Sequence, residues 1–464
     1  MFRITWYAMA LAVATVPAYA QESETSRMRE ELRQLQQRMQ SLEKKLQESD
    51  AKASKAEQSA AQAESTATQA AAQASNRPQS ESALNPGISA ILNGVYSNFQ
   101  RDPKTYRLNG FVPSMGDMSL GKRGLSLGES ELGFMANIDH LFRGTLIASI
   151  SPDNDTIGVE EGYIQTIGLS QGFTIKAGRF FSGIGYQNQV HAHAWDFTDA
   201  PLAMKAFLGT QLNEDGIQFK WVAPTSLYFD VGLELGRGRA FPGTDRNKNG
   251  FGSSNLFTHI GGDIGTSTFW QTGLSYLSTS PQDQVFTDVD STGTSVNNSF
   301  SGRSRLWVLD GVLKWAPNGN ATYNSFKLQG EYFRRTENGS LTYDRDAASL
   351  GTMAGSFSSR QSGWYAQGVY QFLPAWRTGY RYDTLDSGTT SLGLVDSGAL
   401  TAADFPILAG YKPHRNTLMV DWSPSEFSRI RLQLARDYSR MGEPDNQIFL
   451  QYIVSLGAHG AHRF

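Results

Sequence analysis

His191 and His193 stand one residue apart, so in an extended segment both imidazoles point to one side. With Asp196 they could offer two or three nitrogen and oxygen ligands to Zn²⁺. Histidines that simply line a polar surface would look the same, and the spacing alone does not separate the two. The same stretch, Ala177 to Gly209, also carries Trp195, Asp199 and Lys205. A second candidate, Asp245-Arg246-Asn247-Lys248-Asn249-Gly250, opens like a calcium loop, but Leu256 stands where the closing carboxylate should be. A Gly/Asn-rich surface loop is the reading left. Nucleophile elbows, phosphate-cradling glycine loops and zinc-protease helices are absent from the sequence. The adjacent Glu160 and Glu161 could pass for a general-acid pair, yet nothing supplies the dry setting such acids need. No enzyme and no resident cofactor is expected, apart from the possible Zn²⁺.

The elements that position these residues follow from composition and periodicity. Aromatics make up 11%, charged residues only 18%, glycine reaches 46 residues, and the net charge is −3. That mix suits many strands and excludes a basic nucleic-acid surface. Cysteine is absent, which removes disulfides and thiolate sites and fits passage through an oxidising compartment. Residues 1–20 combine Arg3, an apolar run and Ala18-Tyr19-Ala20, the pattern of a secretory signal peptide.

From Met28, apolar residues fall at Leu32, Leu35, Met39, Leu42 and Leu46, the seam of a left-handed coiled coil. The register runs on through Ala53, Ala56, Ala60, Ala63, Ala67, Ala70 and Ala74. As one helix from Met28 to Ala74, within a coil of residues 21–76, it would reach roughly 70 Å at 1.5 Å per residue; the Ala-rich half alternatively reads as a linker. Residues 77–87, with Pro78 and Pro86, form a polar linker.

From Ile88 the period changes to two. Leu227, Phe229, Val231, Leu233 and Leu235 share one face against Tyr228, Asp230 and Glu234. Ile430, Leu432 and Leu434 oppose Arg429, Arg431, Gln433 and Asp437. Sixteen such strands are expected between 88 and 464. Tight turns alternate with long segments at 100–123, 182–210, 279–301, 336–358 and 386–410. That asymmetry predicts an all-β transmembrane barrel of about sixteen antiparallel strands, with apolar residues toward lipid and charged residues toward the lumen. Trp221, Trp315, Trp376, Tyr380, Tyr382 and Trp422 fall near strand ends, where interfacial girdles belong. The predicted pore wall mixes Arg143, Lys176, Lys220, Lys327, Arg377, Arg381, Arg429 and Arg431 with Glu129, Glu131, Asp230, Glu234, Glu331, Asp383 and Asp437. The long segment 182–210 is the candidate to bend inward and narrow the pore, with His191, His193, Trp195, Asp196, Asp199 and Lys205 at the constriction.

The segment GRFFSGIGYQNQVHAHAWDFTDAPLAMKAFLG, Gly178 to Gly209, resembles the approach to the constriction loop in phosphate-selective porins of the O/P type. It resembles still more the proteobacterial outer-membrane proteins labelled zinc-regulated receptors. The resemblance extends through EDGIQFKWVAPTSLYFDVGLELGRG and the closing SLGAHGAHRF. A helical extension ahead of a barrel is also similar to that of trimeric sugar porins. Terminal Phe464 resembles the signal read by the barrel assembly machinery, with His462 where an aromatic is usual. The resemblance implies a trimeric channel whose third long loop enters the lumen. Phosphate-selective members place lysines there; this loop offers only Lys205.

The sequence therefore predicts a Gram-negative outer-membrane porin for passive diffusion of small hydrophilic solutes or ions. It would be a homotrimer in contact with outer-membrane lipid and lipopolysaccharide. The coil would stand in the periplasm, where it could reach peptidoglycan. A zinc-responsive, receptor-like metal uptake protein and an envelope tether are the alternatives.

Overall fold

The computed structural model describes residues 87–114, 120–150 and 156–457, with the isolated positions 33, 39–41 and 44. The chain divides into two units, Met1–Ala83 and Leu84–Phe464. In the first, the five described positions are helical; the signal peptide and the rest of the coil lie outside the described residues, as do linker residues 77–86 and His459, His462 and Phe464.

In the second unit, alternation of residue type becomes alternation of face. Along Asp445–Gly457, Gln447, Phe449, Gln451, Ile453 and Ser455 are buried, while Ile448, Leu450, Tyr452 and Leu456 are exposed. Exposed leucines and buried glutamines invert the rule for a soluble protein, and they repeat on strand after strand. The segments are β1 (Gly87–Phe99), β2 (Gly124–Leu127), β3 (Ser130–Asn137), β4 (Phe142–Ile150), β5 (Ile157–Thr166), β6 (Phe173–Phe181), β7 (Asn213–Val222), β8 (Tyr228–Gly236), β9 (Ser253–Ile264), β10 (Thr268–Thr279), β11 (Gln284–Val289), β12 (Ser295–Trp315), β13 (Ser325–Tyr343), β14 (Met353–Leu373), β15 (Trp376–Leu392), β16 (His414–Ser425), β17 (Ser428–Asp437) and β18 (Asp445–Gly457). Pairing is antiparallel throughout. β2 and β3 share one place beside β1, and β11 pairs only with the outer part of β12, so sixteen strands make the wall. β1 closes on β18 from Ser89↔Gly457 to Phe99↔Gln447, so the wall joins end to end into a barrel.

Two expected loops are largely strand. Residues 279–301 and 336–358 were expected to be connections, but β12 and β14 each run 21 residues and β13 runs 19. At about 3.3 Å per residue this is some 60–70 Å, well beyond what a tilted strand needs to cross a bilayer. The extensions are rich in Ser, Thr, Asn and Gly, so their outer face lacks the apolar period that marks a lipid-facing strand. Their inner face packs a separate core: Phe286, Phe300, Leu341, Tyr343 and Phe357 bury Leu394, Phe405, Ile407 and Leu408 of the segment after β15.

Four of the six expected girdle aromatics, Trp315, Trp376, Tyr380 and Trp422, are exposed on the outside, as are Trp307 and Trp364. Trp376 and Trp422 stack across neighbouring strands at 6.1 Å. Leu256, at the closing position of the would-be calcium loop, points outward from β9.

Candidate functional site

The connection from β6 to β7, residues 182–212, turns into the barrel and is held at its neck by Asn188. The Asn188 amide donates to the carbonyls of Ser182 and Leu212 at 2.8 and 2.9 Å, and its oxygen accepts from Leu212 N–H at 2.7 Å. Wall carboxylates then take the loop's free N–H groups. Glu234 accepts from Gly183 at 2.7 Å, and Glu331 accepts from Tyr186 and Gln187 at 2.5 and 2.9 Å. Gly185 makes that approach possible: its φ is +64°, and a Cβ there would sit 2.7 Å from Glu331 Oε1. Further on, Leu202–Leu208 forms a two-turn helix, α1, closed by Gly209 in the left-handed conformation. Every residue of α1 is buried. Met204, Phe207 and Leu208 pack with Leu306, Phe333, Tyr365 and Leu385 of the wall.

A single inward segment was expected; among the described residues the first long connection turns in as well, besides the segment after β15. Leu108 and Phe111, from the first long connection, join the same core, and Phe111 meets Phe207 edge-on at 5.7 Å. These apolar side chains were hidden by their setting in a Gly/Pro/Ser-rich stretch that reads as surface loop.

Of the residues predicted at the constriction, Asp196, Asp199 and Lys205 are tied into ion pairs. Asp196 takes Lys327 at 2.9 Å and Arg377 at 3.2 Å, and Arg377 continues to Asp421 at 2.7 Å. Asp199 takes Arg381 at 3.1 Å, Lys205 at 3.5 Å, and Arg415. Burial alone would raise both carboxyls. The surrounding cations win, holding Asp196 and Asp199 well below the usual carboxylate range. Lys205 is buried and its pKa is pushed down by desolvation, against the pull of Asp199. Trp195 is buried in the core under the loop, its indole donating to Val190 O at 2.6 Å.

The two histidines part company with Asp196. They sit instead among carboxylates of β3 and β5: His193 Nδ1 is 2.6 Å from Glu131 Oε1, and His191 Nε2 is 3.1 Å from Glu161 Oε2. His191 Nδ1 lies 3.3 Å from Glu131 Oε2 and 3.5 Å from Glu160 Oε2. Burial would depress the His191 imidazole, but hydrogen bonds to Glu131, Glu160 and Glu161 push it well above its usual value. Of the expected trio His191, His193 and Asp196, the two histidines lie together with Glu131 instead, the possible ligand atoms of these three being within 4.8 Å of one another. Asp196 is drawn away because Lys327 and Arg377 compensate its charge. Glu160 and Glu161 are adjacent in sequence and both buried. Strand alternation forbids this, and the register shift opposite Ile147/Ala148 permits it: Ile147 pairs with Glu161 and Ala148 with Val159, leaving Glu160 as the extra residue.

The remaining predicted wall residues face inward, except that Arg143 is exposed near the start of β4 and Glu129 is half-buried between β2 and β3, bonded to Glu160. Lys220 pairs with Asp230 at 2.7 Å, Arg381 with Asp383 at 3.0 Å, and Arg415 with Asp437 at 3.7 Å. Arg431 donates to Asp421 and to Trp195 O, and Arg429 also donates to Trp195 O. Lys176 lies over the Tyr163 ring at 4.4 Å. A cavity of about 920 Å³ below the loop, bordered by turns Gly265–Ser267 and Ala316–Gly319, is lined by Tyr186, His191, His193, Lys220, Asp230 and His259.

Sequence reasoning missed Arg415, Asp421, His259 and Arg335. The first three follow from alternation, sharing the inward phase of Thr417 and Met419 or of Asn255 and Phe257. Arg335, fully buried over the Phe207 ring at 5.3 Å, sits at the end of the expected strand and answers to no local pattern.

No known family's sequence model matches the chain. It is similar to a protein of Aquifex aeolicus (strain VF5) described as uncharacterized, 29% identical over 421 residues that span 83% of this chain and 81% of the relative. Among solved structures it is similar to a loop-deletion form of OmpT, an outer membrane protein of Vibrio cholerae, with TM-score 0.49 and 10% identity over 80% of this chain and 99% of that one. It is also similar to the outer membrane channel DcaP of Acinetobacter baumannii, at 0.45 and 11% over 80% and 97%. OprB of Pseudomonas putida gives 0.46 and 12% over 80% and 94%.

Proposed function

We propose that the protein is an outer-membrane porin through which small hydrophilic solutes or ions diffuse passively, with the passage narrowed by residues 182–212. The observation that carries this reading is the closed sixteen-strand wall with leucines, tyrosines and tryptophans outside and paired charges inside. Such a wall is stable only with hydrocarbon around it and water or polar groups within. Because the loop binds carboxylates or cations on β3, β5, β8, β13, β15 and β16, it divides the lumen, so the passage is narrow and the unit conductance small. Arg377, Arg381, Arg415, Arg429 and Arg431 on β15–β17 are matched by Asp196, Asp199, Asp383, Asp421 and Asp437, whereas Glu129, Glu131, Glu160 and Glu161 gather around β3 and β5, so the uncompensated charge along the passage is acidic. With Lys205 buried against Asp199, the loop presents no lysine row of the phosphate-selective kind.

Purified protein in a planar bilayer should give steady ohmic steps, and a salt gradient reads the ion preference. Absence of steps from folded protein refutes the reading. The same reading places the coil in the periplasm, within reach of peptidoglycan. It joins three copies about one axis, sets the barrel in lipid and lipopolysaccharide, and makes Phe464 the assembly signal. Light scattering of the detergent-solubilised protein tests the trimer, and a monomer would refute it.

A further inference from the structure

We infer that His191, His193, Glu131 and Glu160 form a binding site for a divalent first-row transition-metal ion, Zn²⁺ being the chemical type, which joins the inward loop to strands β3 and β5. Two buried atoms here have only long contacts. His191 Nδ1 and Glu160 Oε2 are buried, have no partner at good hydrogen-bond geometry, and face each other at 3.5 Å. Glu131 Oε2 completes the group at 3.3 Å from the same nitrogen. These separations are too long for good hydrogen bonds, but they match the edge of a coordination tetrahedron: ligands 2.0–2.1 Å from a tetrahedral Zn²⁺ lie about 3.3–3.4 Å apart. His193, with its ligand atom inside the same 4.8 Å cluster and its ring stacked on His191 at 5.6 Å, stands as the fourth donor.

The surroundings support the assignment. Glu161 holds His191 Nε2 at 3.1 Å, the carboxylate partner that fixes the tautomer of a metal-bound imidazole and leaves Nδ1 as the lone pair. The mix of imidazole and carboxylate favours Zn²⁺ and its neighbours over Mg²⁺ or Ca²⁺, which take oxygen alone. Four carboxylates, Glu129, Glu131, Glu160 and Glu161, converge here, and a dication offsets charge that the lumen otherwise leaves crowded. Both histidines line the 920 Å³ cavity, which gives the ion a way in.

The test is binding to the purified full-length protein in detergent, which needs no conduction, so its failure and the failure of the channel reading are distinguishable. Co²⁺ is titrated while the visible absorption of tetrahedral cobalt is followed; Zn²⁺ is titrated by calorimetry, with Mg²⁺ as control. One saturable Zn²⁺ per chain that displaces Co²⁺, unmatched by Mg²⁺, is expected. His191→Ala should abolish it, Glu160→Gln should weaken it at least tenfold, and Glu161→Gln, outside the ligand set, about 10–100-fold. His414→Ala, at the start of β16 and outside the cluster, should bind as wild type. The glutamine variants keep side-chain volume, so they decide the matter even if His191→Ala fails to fold. No saturable Zn²⁺ or Co²⁺ binding by folded wild type, or wild-type affinity in both glutamine variants, overturns the site.

Discussion

Asp199 is the residue whose loss should free the inward loop. Its carboxylate meets Arg381, Arg415 and Lys205, and accepts from Gln433 at 2.9 Å. The three cations are at most 4% exposed, so none can turn to water when the anion goes. Breaking a buried pair from one side costs about 3–5 kcal/mol, because the remaining charge stays desolvated. Asp199→Asn keeps shape and the Gln433 contact and removes only charge, so it isolates that cost. The sheet pairs do not involve Asp199; the loss should therefore appear as local opening of residues 183–212. At about 1.4 kcal/mol per decade, hydrogen exchange there should accelerate by roughly two to three and a half orders of magnitude. Amides such as Leu202, which donates to Asp383, and Leu212, which donates to Asn188, report it by mass spectrometry, while β17 and β18 stay protected. Adding Arg415→Met should restore part of the protection by removing one stranded cation. Exchange within about threefold of wild type in Asp199→Asn would show that these charges do not hold the loop.

The pH dependence has a definite sign. Asp196 and Asp199 are held below the ordinary aspartate value, so the folded loop binds fewer protons than the released one; its anchoring is complete above about pH 4–5 and is lost as acidity increases below that. Trp195 fluorescence should change as the pH falls below about 4; an unchanged signal in strong acid would contradict the assignment. Phe207→Ala empties the core shared by α1, Phe111 and Phe333 and should cost about 3–5 kcal/mol of loop stability, read by the same exchange experiment with the wall unaffected. Leu450→Arg, facing lipid, should destabilise the barrel by about 2–4 kcal/mol in urea titrations in lipid vesicles if it lies near the midplane, whereas Leu456→Arg near the strand end should cost about 1 kcal/mol or less. Equal effects at the two positions would undo the assignment of the outer face.

Much of the wall was legible because one rule, applied locally, orients it. Alternation in Ser428–Asp437 puts Ile430, Leu432 and Leu434 outside and Arg429, Arg431 and Gln433 inside, and pairing does no more than align such strands. The rule fails where local pattern stops carrying information. In β12–β14 the outer extensions have no lipid to face, so their strands read as loop. At Glu160 the extra residue is set by the partner strand, which no single-strand reading contains.

The amino-acid order by itself determined the architecture: a period of two, alternating short and long connections, and an apolar outer face together admit a barrel of sixteen strands and little else. It also marked 182–210 as the connection able to enter the lumen. Only the tertiary structure decided what that connection does with its charges. Asp196, three residues from His193, left the histidines for Lys327 and Arg377, while Glu131 and Glu160 joined them from strands distant in sequence. Inside a closed wall each buried charge settles with whatever compensates it best in space, and that choice depends on register and bulge across strands, which spacing along the chain does not encode.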